Sequence, residues 1–577
     1  MRGRGRDECI AAATSEFPVL NVMTATRLLS LCMLVLVLAG TSLNLIAKPR
    51  VAEPGRAKSP VGEAIYLEGV LGSGAPLTAT RAGAEPVTGE QAACVNCHRR
   101  SGLGSQEARS SFPPITGQFL FHPQTGGAEL PYIPGARLKR QPYTDITLAR
   151  AIRDGVDADG RPISYLMPRF ALDDTDMSAL IAHLRSLDRN KAPGVSMSEL
   201  HFATIITPDA DPVKRRGMMD VLEHFFQDRN GAPRGASGQQ MITSGATDSA
   251  RSMFKVNRRW VLHVWELTGP SATWAEQLNK RFAETPVFAV ISGIAGKNWM
   301  PVTDFCERRE VPCLFPNVEQ PPADADHNFH TLYFSRGVLL EADLIAAGML
   351  NAPADARLKR ARLVYRAGDV GEAAAVSLAA QLRARGVDTV TRVVPLGAPG
   401  KAVAEAARDP SSTDAIVLWL RPADLAALEG MTAPPNPIYV SGVMGGLDEA
   451  PLPSGWRDRV HMAYPVDLPD RRRVRLDYAL GWFRIRGIPV VAQQVQVDTY
   501  LACGLLSETV KHMVDAFIPD YLIERLEDTV EHRVVTGYYP RLTLGPHQRF
   551  ASKGGFLVHY ASTGTQRVVP DGDWMTP

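Results

Sequence analysis

Apolar positions recur along this chain with two different periods. Near its start, Val61-Gly-Glu-Ala-Ile-Tyr-Leu-Glu-Gly69 predicts a short amphipathic helix. A longer helix is predicted from Asp145 to Arg153, with Ile146, Ala149 and Ile152 on one face and a stop near Gly155. Met177, Leu180, Ile181, Leu184 and Leu187 then repeat at helical spacing behind Asp173 or Asp174, either of which can cap the helix. From His201 onward, short apolar runs alternate with amphipathic stretches. Strands are predicted at 201–206, 259–266, 287–291, 313–316, 362–365, 389–394, 415–419 and 438–441, with helices at 212–229, 274–284, 299–309 and 371–386. Such alternation predicts parallel sheets covered on both faces. The stretch from 199 to 577 is too long for one such sheet, so two α/β lobes are expected.

Ahead of these elements, Arg27 precedes an apolar run from Leu28 to Ala39, and Gly40-Thr41-Ser42 follows. That order is the order of an export signal. The uninterrupted run is short against the roughly 20 residues of a membrane-spanning helix. Leu43, Leu45 and Ile46 extend it, so an uncleaved N-terminal anchor ending at Ala47 is the alternative. The expected division is a signal peptide or anchor over 1–47, a linker over 48–60, an all-α domain over 61–190 and a two-lobed α/β domain over 199–577. In 577 residues, 45% hydrophobic and 21% charged content is ordinary for globular protein. The formal net charge of +2 offers no case for nucleic acid. Export implies an oxidising compartment, where Cys306 and Cys313 are a candidate disulfide or two free thiols. Cys503 lies in an apolar helical segment and is expected as a buried thiol, and Cys9 and Cys32 fall in the presequence.

Cys94-Val95-Asn96-Cys97-His98 is the C-x-x-C-H pattern of covalent c-type haem attachment. Two thiols add across the haem vinyl groups, and the adjacent histidine becomes an iron ligand. A redox dithiol does not require His98, and no second C-x-x-C completes a zinc site. Downstream, Met167 stands in Tyr165-Leu-Met-Pro-Arg-Phe170, before the last helix of the domain. Its thioether is the candidate sixth ligand, which suits electron transfer. Met177, His122 and His183 are the other candidates, with His183 expected on the outer face of its helix. One haem c is therefore expected. A peroxidase-type reading needs an open iron position, and no Ser/His/Asp, Walker or metalloprotease motif asks for other catalysis.

Ile65-Tyr66-x-x-Gly69, Cys94 to His98, Ala151-Ile-Arg-Asp-Gly-Val156, Met167-Pro168 and the last helix together resemble class I monohaem cytochrome c. The likeness is strongest to the domains that accept electrons from periplasmic dehydrogenases. The segment from 199 to 577 resembles the type I periplasmic binding proteins, receptors of branched-chain amino acid ABC transporters. It does so through Val290-Ile-Ser-Gly293, Val311-Pro-Cys313, Tyr365-Arg-Ala-Gly-Asp-Val-Gly371 and Leu544-Gly-Pro-His-Gln-Arg549. That resemblance implies a ligand cleft lined by Ser292, Gly293 and Ala295, with Lys297 and Asn298 just beyond, and faced by Asp369 or Tyr365. Gly296-Lys-Asn-Trp299 departs from the small and hydroxyl residues of amino-acid binders. The function implied is periplasmic electron transfer with a periplasmic dehydrogenase or oxidase as redox partner, the fused domain docking that partner or sensing a ligand. The alternative is a small-molecule receptor whose haem reports redox state. In either case the N-terminal segment would export the protein or hold it at the membrane.

Overall fold

The computed structural model describes residues 60–577, apart from position 82 and segments 108–109, 123–128, 131–132, 138–139, 188–191, 232–257, 352–357, 409–413, 514–515, 533–536 and 562–567. The expected signal or anchor over 1–47 lies outside the described residues.

In the motif-bearing part, helices α1 (Pro60–Glu68), α2 (Asp145–Asp154) and α3 (Asp174–Ser186) enclose a core that includes Ile65, Tyr66, Leu148, Ile152 and Leu180. The α2 boundaries follow from local chemistry. The Thr144 hydroxyl caps its first turn by accepting from Thr147 N, and Gly155, in the left-handed region, ends it. The Asp173 carboxylate caps α3 by accepting from Asp176 N at 2.8 Å. Helices α1 and α3 cross at Gly62, where a Cβ would lie 2.1 Å from the Ala179 carbonyl oxygen. Two sequence expectations need correction here. Ile146 is 83% exposed, because α2 turns Leu148, Ala151 and Ile152 inward. His183 is buried, its ring 5.1 Å from that of Tyr66.

The all-α expectation is also too simple. Thr78–Thr80 pairs antiparallel with both Val87–Thr88 and Arg169–Phe170, and two further hairpins lie in the long loop after the motif. The first of these sheets pins the chain immediately beyond Met167 and thereby sets the place of that loop.

The larger part is two lobes. In the first, β1 (Glu199–Ile206), α4 (Pro212–Gly231), β2 (Arg259–Glu266), α5 (Trp274–Glu284), β3 (Ala289–Ile291), α6 (Met300–Arg309), β4 (Cys313–Leu314) and β5 (Thr331–Leu332) alternate. The strands form a parallel sheet in the order β5-β4-β3-β1-β2. Helix α7 (Val338–Leu350) carries the chain to the second lobe. There β6 (Arg360–Arg366), α8 (Gly371–Ala384), β7 (Asp388–Val394), β8 (Ala415–Trp419), β9 (Ile438–Ser441) and β10 (Val460–Tyr464) give the order β7-β6-β8-β9-β10. In both sheets the first strand sits between the second and third, the order of a doubly wound fold.

After α9 (Pro469–Arg486) the chain returns to the first lobe. Helix α10 (Gln493–Met513) packs on α4, and α11 (Pro519–His532) packs on α10. The chain bridges Tyr333 at Phe550, then crosses again to add β11 (Phe556–Tyr560) and β12 (Val568–Pro570) antiparallel to the second sheet. Among the described residues no helix is long and apolar enough to cross a membrane.

Candidate haem site and interlobe cleft

One short turn organises the motif. Helix Val95–His98 is closed by His98 N to Cys94 O at 3.0 Å and Arg99 N to Val95 O at 2.9 Å. Cys94, Cys97 and His98 thus face one cavity of about 420 Å³, which Met167, Leu148, Ile152 and Leu180 also line. His98 is only 5% exposed. Burial lowers its pKa, more than the bond to Pro113 raises it, so the ring is neutral. Its Nδ1 lies 2.9 Å from the Pro113 carbonyl oxygen. As Nδ1–H donates there, Nε2 keeps a free lone pair for a metal.

The Met167 loop is held at both ends. Met167 N donates to Ser164 O at 3.0 Å, and Arg169 Nη1 donates to Met167 O at 2.6 Å. Gly155 makes room for that arginine, since a Cβ there would stand 1.8 Å from Arg169 Cζ. The other candidate ligands are elsewhere: Met177 is in the helical core, His122 is exposed and the His183 ring packs at a tilt against Tyr66.

Residues 88–188 match the sequence model of the family described as Cytochrome c. This segment is a cytochrome c domain. No curated protein matches the chain. Several solved structures are similar to a part of this chain. An ABC transporter substrate-binding protein from Sphaerobacter thermophilus is 13% identical over 66% of this chain and 98% of its own, with a TM-score of 0.46. A fatty acid ABC transporter substrate-binding protein from Thermomonospora curvata is 14% identical over 67% and 95%, with 0.45. The branched-chain amino acid transporter substrate-binding protein LivJ from Streptococcus pneumoniae, in complex with isoleucine, is 10% identical over 66% and 100%, with 0.44.

The residue set suits the group that the cytochrome domain implies. Two thiols, a neutral imidazole with a spare nitrogen and a thioether are the donor chemistry of haem c, and the cavity around them is largely apolar.

The cytochrome domain is seated on α11 by residues the sequence reading did not single out. Arg99 pairs with Glu527, Arg100 Nε lies 3.4 Å from Asp520 Oδ2, and Ser101 N donates to Glu524 Oε1 at 2.8 Å. Leu103 and Phe119 join the core that also holds Leu522 and Leu526. The spacing of Asp520, Glu524 and Glu527 on one helical face was legible in the sequence. Their opposite number, three residues after His98, was not.

At the carboxyl ends of the strands, the expected cleft residues divide. Ser292 is buried; its hydroxyl accepts from Asn317 Nδ2 at 2.8 Å and lies 3.2 Å from Thr499 Oγ1. Gly293 lies beneath the Trp299 ring, Ala295 packs on the first-lobe core, and Asn298 Oδ1 accepts from Met300 N. Tyr365 does not face the cleft, because its side chain lies in the second-lobe core. Lys297 reaches across to Gly368 and Asp369.

Asp369 is gripped by Arg421 through Nε at 3.0 Å and Nη2 at 2.8 Å, and the same Nη2 lies 2.7 Å from Glu319 Oε2 of the first lobe. Lys214 Nζ completes the chain at 2.6 Å from Glu319 Oε1. Against the upward pull of burial, these cations hold both carboxyls below the usual range.

Of the two alternatives open for Cys306 and Cys313, the structure has the free thiols. Cys306 on α6 and Cys313 on β4 are buried neighbouring free thiols. Burial, followed by the contact with Cys313, raises the Cys306 pKa, which suppresses the thiolate that exchange chemistry requires. Cys503 is a buried free thiol, as expected.

Proposed function

We propose that this protein is a periplasmic c-type cytochrome that carries single electrons, with its two-lobed domain serving as a platform for a redox partner. The observation that carries the reading is the convergence of Cys94, Cys97, His98 and Met167 on one apolar cavity. In this reading Cys94 and Cys97 would hold one haem covalently, and His98 and Met167 would be its iron ligands. The bound haem supplies a reversible one-electron couple.

The chain's own residues do the rest. Pro113 O fixes the His98 tautomer by accepting from Nδ1. Arg169, itself placed by strand pairing and by the space at Gly155, holds the Met167 carbonyl and so orients the loop. The apolar lining from α2 and α3 excludes water, which favours the less charged, reduced state. The export-signal order of Arg27, the apolar run 28–39 and Gly40-Thr41-Ser42 supports a periplasmic location, and a dehydrogenase or oxidase of that compartment is the partner class proposed.

The receptor alternative needs uncommitted polar groups in the cleft. Here Lys214, Glu319, Arg421 and Asp369 neutralise one another, which supports docking over capture of a small carboxylate. Expression with a periplasmic haem-maturation system tests the proposal. Denatured protein should retain one haem per chain, and Cys94→Ala with Cys97→Ala should retain none. A wild-type chain carrying no covalent haem would refute the reading, and a stoichiometric small molecule released from native protein would favour the receptor.

A further inference from the structure

The three residues that follow His98 are held against one face of α11. Arg99 takes Glu527, Arg100 takes Asp520, and Ser101 takes Glu524. The first two carboxylates each meet an arginine. Glu524 instead accepts from the Ser101 backbone N–H at 2.8 Å and from the Ser101 hydroxyl at 2.5 Å. Ser101 is 1% exposed and Glu524 3%, so water does not screen the pair.

The connection from Ser101 back to His98 is short and stiff. Gly102 N donates to Arg99 O at 3.2 Å, Gly104 N to His98 O at 3.1 Å, and Leu103 N to the Ser101 hydroxyl at 3.2 Å. The Tyr66 hydroxyl donates to Arg99 O at 2.6 Å. A carboxyl of α11 is thereby hydrogen-bonded to the chain three residues beyond His98.

We propose that Glu524 is the proton-coupled group of the haem, binding a proton as the cytochrome domain is reduced and releasing it on oxidation. The inference rests on the haem assignment above and names Glu524 as a positioning residue for electron transfer. One electron arrives from a one-electron donor such as a redox protein or an electrode. The accompanying proton comes from bulk water, no bond to the haem forms or breaks, and both return on oxidation. The oxidised centre carries one more positive charge than the reduced one, so it favours the Glu524 carboxylate. Reduction withdraws that support and the carboxyl takes up a proton.

The groups around Glu524 leave it poised to respond. Burial pushes its carboxyl up to about 8, the Arg99 charge and the Ser101 donors pull it down, and Asp520 pushes it up. Tyr66 from α1 and Tyr521 on its own helix also face it. Arg525 and Asp528 pair with each other further along α11. Glu527 is committed to Arg99 and to Arg549 of the returning segment, and Asp520 is shared by Arg100 and His330. Glu524 is thus the member of the row with neutral hydrogen-bond donors and a raised carboxyl.

The test uses full-length protein in which one covalent haem has first been verified by mass. Its midpoint potential is titrated from about pH 6 to about pH 10. The wild-type midpoint should fall as pH rises through the titration of Glu524. Glu524→Gln should flatten that fall and hold the alkaline midpoint near the wild-type acid value. A second measurement avoids dependence on the variant's folding. The reduced-minus-oxidised infrared spectrum of wild-type protein near pH 8 should gain a protonated-carboxyl band that shifts in heavy water. A flat wild-type midpoint, an undiminished fall in Glu524→Gln, or no carboxyl band would overturn the proposal while leaving the haem assignment intact. Absence of covalent haem would overturn both.

Discussion

At His98, a backbone carbonyl decides which nitrogen is available. Pro113 O is 2.9 Å from Nδ1, and burial keeps the ring neutral, so the imidazole is prepared for a metal by the protein alone. Met167 is prepared differently, by anchoring its loop through Arg169. Met167→Ala should keep the covalent haem but open the sixth position. Reduced protein should then bind carbon monoxide quickly without denaturation, and the midpoint potential should fall. An unchanged spectrum and potential would show that another side chain ligates. Lys297 and Asp369 were readable as residues near a strand end, but the partner that engages Asp369 was not. Arg421 lies far along the chain and meets it only because the loops after β6 and β8 emerge side by side.

Among the elements, the helices with strong local signals were legible. Asp173 caps α3, Gly155 ends α2, and both follow from chemistry within a few residues. The faces were less legible. Ile146 sits at a spacing that fits the apolar stripe, yet α2 has its core on the side of Leu148 and Ile152, and Ile146 is left in solvent. His183 reads as polar, yet it packs between α1 and α3. That crossing depends on Gly62. Gly62→Ala forces a Cβ toward the Ala179 carbonyl and should cost about 1–3 kcal/mol, as overpacking does. Denaturant unfolding followed by the haem absorbance measures it, and a loss near zero would mean that α1 shifts freely. The long helices α9 and α11 went unassigned, and α10 was anticipated only as an apolar helical segment around Cys503; their return to the first lobe is a matter of topology.

For the molecule as a whole, two sets of carboxyls pull stability in opposite directions with pH. Ion pairs hold Glu319 and Asp369 low against burial, and the Tyr464 hydroxyl followed by Arg472 does the same for Asp448, so their contribution is lost as pH falls through their folded pKa values. Burial pushes Glu341 and Glu524 up to about 8 and Asp498 up to about 7. Between their ordinary values and these, the folded chain holds more protons than the unfolded one, so raising pH costs stability. His330, raised by Asp520 and Glu307 against burial, adds to the same alkaline loss. Thermal unfolding should therefore peak in mildly acid solution and fall steadily toward pH 8. A midpoint that rises over that interval would contradict these burial assignments. The cleft gives a second expectation at this scale. Arg421→Ala leaves Glu319 and Asp369 facing each other without their shared cation. The lobes should part, and small-angle scattering should report a larger radius of gyration.

Local patterns in the sequence determined the C-x-x-C-H turn, the alternation of strands and helices, and the caps of the cytochrome helices. Each depends on residues a few positions apart, where chain geometry alone sets distances. The tertiary structure decided which carboxyls are buried, which arginines neutralise them, how Cys306 and Cys313 stand, and that α11 lies against the segment after His98. Those outcomes depend on pairs such as Ser101 with Glu524 and Glu319 with Arg421. Their partners are distant in sequence, so only the packing of whole elements brings them within hydrogen-bonding reach.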